Sequence, residues 1–239
     1  MDIHKPKPIH SLREFVSEIA VVVVGIAIAL TGEQIVERIH EHQIAAEARE
    51  QIRGEVATDL AVLGNRVKIE PCIDKRLTQL RRLLATAGTP AYVTPTWIGR
   101  PDEWDNQNGR WQAAGQGGRV ALLSSGEQLG FSFIYGQLAQ ILSVEADERQ
   151  QWSHLLALEG VAHPSATLID AARPALWEAI ADDDAIRIRI AQSTRALRAM
   201  GIAPVRSPVE STFDSVCQPI NRPTEEGYNT PNNRFREAK

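Results

Sequence analysis

From Ile19 to Leu30 every position is apolar or glycine, and no other run in the chain is as long. Phe15 and Val16 extend it, so Phe15–Thr31 approaches the roughly 17 to 25 residues that a helix needs to cross the hydrocarbon core. The spacing predicts a transmembrane helix over residues 11–32. Ser11 and Glu14 form an S-x-x-E pair that would cap its first turn. After Gly32 the character changes to a charged, alanine-rich stalk over residues 33–51, in which Ile35 and Ile39 continue one apolar line. Ile52, Val56, Leu60, Leu63 and Val67 then recur at helical spacing, and the packed domain is expected to begin there. Pro71 reads as the start of the next helix, with Ile73, Leu77, Leu80 and Leu84 on its buried line and Gly88 as its stop. The simplest packing of these two is an antiparallel pair joined by a short turn.

Periodicity disappears over residues 89–118, a long loop with Pro90, Pro95 and Pro101 and with Trp97, Trp104 and Trp111 spaced seven apart. Tryptophan favours interfaces and ligand cages, so these three are the candidate partner or ligand surface. Ser124 and Glu127 form a second capping box, opening a helix with Leu129, Phe133, Leu138 and Leu142 on its apolar line. A helix from His163 to Ile180, kinked at Pro174, follows. Asp182, Asp183 and Asp184 are expected to head the last helix, where carboxylates complement the dipole. Ile186, Ile190, Leu197 and Met200 give that helix its buried line. The chain is thus expected to be all-α: a cytoplasmic tail (1–10), the membrane helix, the stalk, a periplasmic bundle of four or five helices (52–202) and an irregular tail (203–239).

Flanking charge orients the anchor. Lys5, Lys7 and Arg13 precede it and Glu33 and Glu37 follow it, so the N-terminus is expected in the cytoplasm and the bundle in the periplasm of a bacterial inner membrane. Ala27-Ile28-Ala29 would suit a signal-peptide cleavage site. Against cleavage, the basic segment is long, Glu18 intrudes and the helical pattern continues beyond. Glu18 reads as a carboxylate at the headgroup level, reaching back towards water. Gly25 and Ala29 form a small-xxx-small pair that would let another helix, from a second protein or a second copy, pack closely.

Composition narrows the rest. The formal net charge is -4 and the mean hydropathy is -0.23, leaving no basic face to recruit nucleic acid. Cys72 and Cys217 are the only cysteines, and an even count in an exported domain suggests a disulfide tying the tail to the bundle. No catalytic, metal or cofactor motif stands out. His40 and His42 diverge on a helix, Gly115–Gly118 lacks phosphate-loop spacing, and Ser124 belongs to a capping box.

The segment REFVSEIAVVVVGIAIALTGEQIVE, followed by a charged helix ending in EVATDL, resembles a family of bacterial single-pass inner-membrane proteins with an EF-x-VVVVGIAIAL-type anchor. The segment from Trp111 to Tyr135 is similar to a W-x-A-x-x-x-G pattern of the same group. The family's Trp-containing stretch after the anchor is replaced here by Gly32-Glu33-Gln34. The resemblance implies a mostly helical membrane protein and no known activity. The expected role is a membrane-anchored structural or accessory protein, not an enzyme, whose partners are the lipid bilayer and other membrane helices or itself. The alternative is a periplasmic module that senses a small ligand.

Overall fold

The computed structural model describes residues 12–103, 108–203, 205 and 215–221. It is all-helical, with four α-helices and two single 3-10 turns, and has no strand among the described residues. The first helix, α1, runs unbroken over Leu12–Thr86. At about 1.5 Å per residue its 75 residues extend about 110 Å. Short α2 (Gly109–Gln116) and a 3-10 turn (Arg119–Leu122) lead to α3 (Ser125–Leu156), and α4 (Ala166–Ala199) returns. The proposed cap at Ser11 and Glu14 lies outside the described side chains.

The continuity of α1 corrects the expected turn at Pro71, and its cause is visible in the seam. Ile52, Val56, Asp59, Leu63, Arg66, Glu70, Ile73, Leu77, Leu80 and Leu84 recur at alternating intervals of four and three residues. All are buried except Glu70, whose side chain retains 15% exposure. This is the repeat of helices packed at a shallow left-handed crossing. Its polar members, Asp59, Arg66 and Glu70, hide it from a search for apolar residues alone. Pro71 lies on the exposed back of the helix. There its lost hydrogen bond, a penalty of about 3 kcal/mol in a helix interior, is outweighed by packing on both sides.

The other two long helices repeat the pattern. On α3 the buried line is Phe131, Ile134, Leu138, Ile141, Glu145, Glu148, Trp152 and Leu155. Leu129 and Phe133, expected on that line, are 75% and 45% exposed. On α4 the line is Ile169, Ala172, Leu176, Ala179, Asp183, Ile186, Ile190, Ser193 and Leu197, carried straight past Pro174, which faces solvent. The aspartates 182–184 therefore stand in mid-helix and head nothing. The expected capping box at Ser124 and Glu127 is present, and Ser165 caps α4 by accepting from the Leu168 amide at 3.2 Å.

Ion pairs give the helix directions. Arg49 meets Glu127 and Arg66 meets Glu148, so α1 and α3 run parallel. Arg66 also meets Asp183, while Arg53 donates to the carbonyls of Met200 and Gly201, so α4 runs antiparallel to both. A parallel α1 and α3 require the chain to travel back along the bundle between them, which accounts for the long aperiodic segment after Thr86. The packed body begins at Ala45 and Ala48, one to two turns before Ile52.

Two apolar clusters fill the bundle. The stalk-side cluster gathers Ile52, Leu63, Phe131, Ile141, Ile190 and Leu197. The far cluster gathers Ile73, Leu80, Ile98, Trp152, Leu176 and Val216. A charged layer separates them.

Candidate functional site

The residues nominated from sequence fall into three separate places. Glu18, Gly25 and Ala29 lie on α1 within a stretch, Phe15 to Gln43, in which every residue is exposed. Among the described residues one helix is long and apolar enough to cross a membrane, and its apolar window is entirely unburied. An uncovered run of Val, Ile and Leu this long is consistent with a single-pass membrane anchor.

Cys72 and Cys217 come together, with Cα atoms 4.9 Å apart and sulfurs at bonding distance, across 145 residues of sequence. The 3-10 turn Ser215–Cys217 thereby lies against α1. Hydrogen bonds also hold the same strap. The Thr96 and Trp97 amides donate to the Ile220 carbonyl at 3.1 and 2.9 Å, and the Trp97 indole donates to the Ser215 carbonyl at 2.8 Å. Buried Arg76 donates to the carbonyls of Trp97 and Gln218, clamping the descending and returning segments at once. Burial lowers its pKa to about 10, partly opposed by Glu159. Gly99 has φ +63, and a β-carbon there would strike the Ser215 carbonyl.

The tryptophans do not converge. Trp97 belongs to this far clamp. Trp111 lies at the stalk side, stacked on Tyr135 with ring centroids 5.0 Å apart. Trp104 lies outside the described residues. Beneath Trp111, the buried Glu55 accepts from the backbone amides of Arg110 and Trp111 at 2.8 and 3.2 Å and from the Tyr135 hydroxyl at 2.5 Å. It thus caps α2 from the side of α1, and burial, then Glu55, raise the Tyr135 pKa. Trp97 thus contacts the strap, and Trp111 contacts Phe131 and Tyr135 of the core.

The arrangement that sequence reading missed is the charged layer. Arg66, with 5% side-chain exposure, donates to Glu148 at 3.0 and 2.7 Å and to Asp183 at 2.6 Å. Glu148 also accepts from the Trp152 indole at 3.2 Å. Glu70 lies alongside, its Oε1 3.6 Å from Arg187 Nε, and Asp182 flanks the layer from α4. Burial depresses the Arg66 guanidinium, but Glu148 and then Asp183 outweigh it and leave its pKa raised. Burial, then the charge of Asp183, push Glu70 from 4.5 to about 7 against the pull of Arg66 and Arg187. Burial, then Glu148, Asp147 and Glu178, push Asp182 from 3.8 to about 6.

Carboxylates outnumber cations in this layer, so it takes up protons on acidification. Glu70, Asp74 and Asp183 bring oxygens within 4.8 Å of one another. Asp183 is already neutralised by Arg66 and Asp74 faces water, which fits an ion-pair network better than a metal centre. The signal available in sequence was the shared repeat: Arg66, Glu148 and Asp183 each occupy a seam position on their helix. No family model, curated protein or solved structure matches the chain.

Proposed function

We propose that this protein is a single-pass inner-membrane protein, N-terminus in the cytoplasm, that holds a helical bundle in the periplasm as a structural or accessory element beside other membrane helices. The observation that carries this reading is the continuity of α1. The exposed apolar run Phe15–Thr31 and the bundle's own seam from Ile52 to Leu84 belong to one helix. Tilt of the membrane segment is therefore transmitted to the bundle as rigid rotation, through a stalk of about 20 Å between Thr31 and Ala45. The basic residues before the run and the acidic ones after it support the orientation, and a disulfide between Cys72 and Cys217 fits an oxidising compartment. The likeness to EF-x-VVVVGIAIAL-type single-pass proteins supports the same address. Affinity capture of the full chain from native membranes, followed by mass spectrometry, tests the role. A stoichiometric membrane partner or a self-assembly is expected, and a lone monomer contradicts it.

A second reading, a periplasmic ligand-binding module, is favoured by one feature. An open groove of about 300 Å³ lies at the far end, lined by Leu83, Thr86, Val93, Pro95, Ile220 and their neighbours. A thermal-shift screen in which a ligand raises the melting temperature of the native chain, but not of Leu83→Trp, would favour it.

A further inference from the structure

We infer that the partner of the exposed part of α1 is a second copy of this chain, paired in parallel along a seam from Gly25 through Ile28, Gly32, Ile35 and Ile39 to Ala46. This rests on the membrane reading above and names its partner. The intervals along that line are three and four residues in strict alternation, with His42 at the remaining position. All but Ala46, where the bundle begins, lie within the stretch exposed from Phe15 to Gln43; Ile28 is 68% exposed, and Ile35 and Ile39 are 54% each.

Lipid explains Gly25 and Ile28. It does not explain Ile35 and Ile39, which stand beyond the apolar run, with Val36 beside them, in a stretch where the other residues from Glu33 to Gln43 are charged or polar. Their stripe is narrow, as in a two-helix seam, and not the broad face that packs on a globular core. Glu33, Glu37 and Glu41 occupy the opposite side of the helix, so pairing brings none of these carboxylates together. Glu18 falls on the same line at the membrane edge, where water remains within reach. Gly25 and Gly32, one heptad apart, let two backbones approach closely where the seam lies in or next to lipid.

The identity of the occupant follows from register. A different protein would have to match this line at the same depth in both lipid and water. A copy anchored in the same membrane is parallel and matched in height by construction. The line also stops where it must. At Arg49 the same face of α1 is taken by Glu127 of α3, and further along the line Val56, Leu60 and Leu63 are buried within the chain's own bundle. Ile35, Val36 and Ile39 would bury too little area to hold a dimer of free molecules in water. Confinement in one membrane raises the effective concentration enough for so small a seam.

The test introduces single cysteines into the full chain, retaining Cys72 and Cys217, and oxidises native membranes. Ile35→Cys and Ile39→Cys are expected to give disulfide-linked dimers of twice the chain mass, several-fold more than Glu33→Cys and Glu37→Cys; the parent chain gives none. Alkaline extraction of the same membranes separates the two claims. Protein that stays in the pellet with unphased or absent dimers, or that cross-links on the Ile35 face to a different protein, overturns self-pairing and leaves the anchor standing. Protein released to the supernatant overturns both.

Discussion

Arg66 stands where a helical seam ordinarily carries leucine, and two of its neighbours across the bundle, Glu148 and Asp183, do the same. A buried ion pair of this kind adds little net stability over apolar packing. Removing one partner strands the others without solvent or counter-charge. Arg66→Ala is therefore expected to destabilise the bundle by about 3 to 5 kcal/mol in denaturant titration. Simultaneous replacement of Arg66, Glu148 and Asp183 by apolar residues should recover most of that loss.

The neighbouring carboxyls make the layer pH-sensitive in a definite direction. Glu70 and Asp182 are raised in the folded state, to about 7 and about 6. The folded form therefore binds their protons more tightly than the unfolded chain does. Their contribution is fully present near pH 4 and is lost as pH rises through 6 and 7. Glu127, lowered to about 2 by Arg49, acts oppositely, and its contribution disappears only as pH falls towards that value. Between pH 5 and 8, stability should thus fall with rising pH, by on the order of 1 kcal/mol because the layer is partly screened by water. Glu70→Gln should flatten that dependence, and a slope unchanged in Glu70→Gln would remove Glu70 from the account.

At the scale of elements, the three long helices share one repeat, and the charged layer marks its middle. Slipping any helix by one heptad would place Arg66 against apolar side chains, so the layer opposes misregister as well as holding charge. Pro71 and Pro174 persist within helices because both face outward. Pro71→Ala is expected to stabilise the bundle by about 1 to 3 kcal/mol, read as a rise in denaturant midpoint. A fall in midpoint would show that Pro71 shapes α1 in a way the native packing needs.

The strap offers a second check. Cys72→Ser with Cys217→Ser should cost about 2 to 5 kcal/mol and expose the far core around Ile98 and Val216 to hydrogen exchange first. Uniform loss of protection would contradict the strap's local role.

Much of the element content was legible in sequence: helix character, the seams at Ile73–Leu84 and Ile186–Leu197, the Ser124 cap and the cysteine pairing. What escaped has a common physical cause. A seam interrupted by Arg66, Glu70, Glu145, Glu148 and Asp183 loses its apolar periodicity at the point where tertiary ion pairs replace it. Proline is a reliable breaker only where packing on either side does not hold the helix. Leu129 and Phe133 misled for the complementary reason, since apolar residues can stand exposed beside a seam. The inward contacts of Trp97 and Trp111 depend on chain segments far away in sequence, Ser215 in one case and Tyr135 in the other.

On the scale of the whole molecule, α1 is at once the apolar segment, the stalk and one wall of the bundle. The account stands on that shared helix lying in lipid with the bundle on the exported side. The most direct test fuses to the C-terminus of the full chain, in turn, an enzyme that acts only after export and a reporter that works only in the cytosol. Activity of the first and silence of the second are expected, with the fusion retained in membranes after alkaline extraction. The reverse pattern, or a fusion released by alkali, would contradict the account.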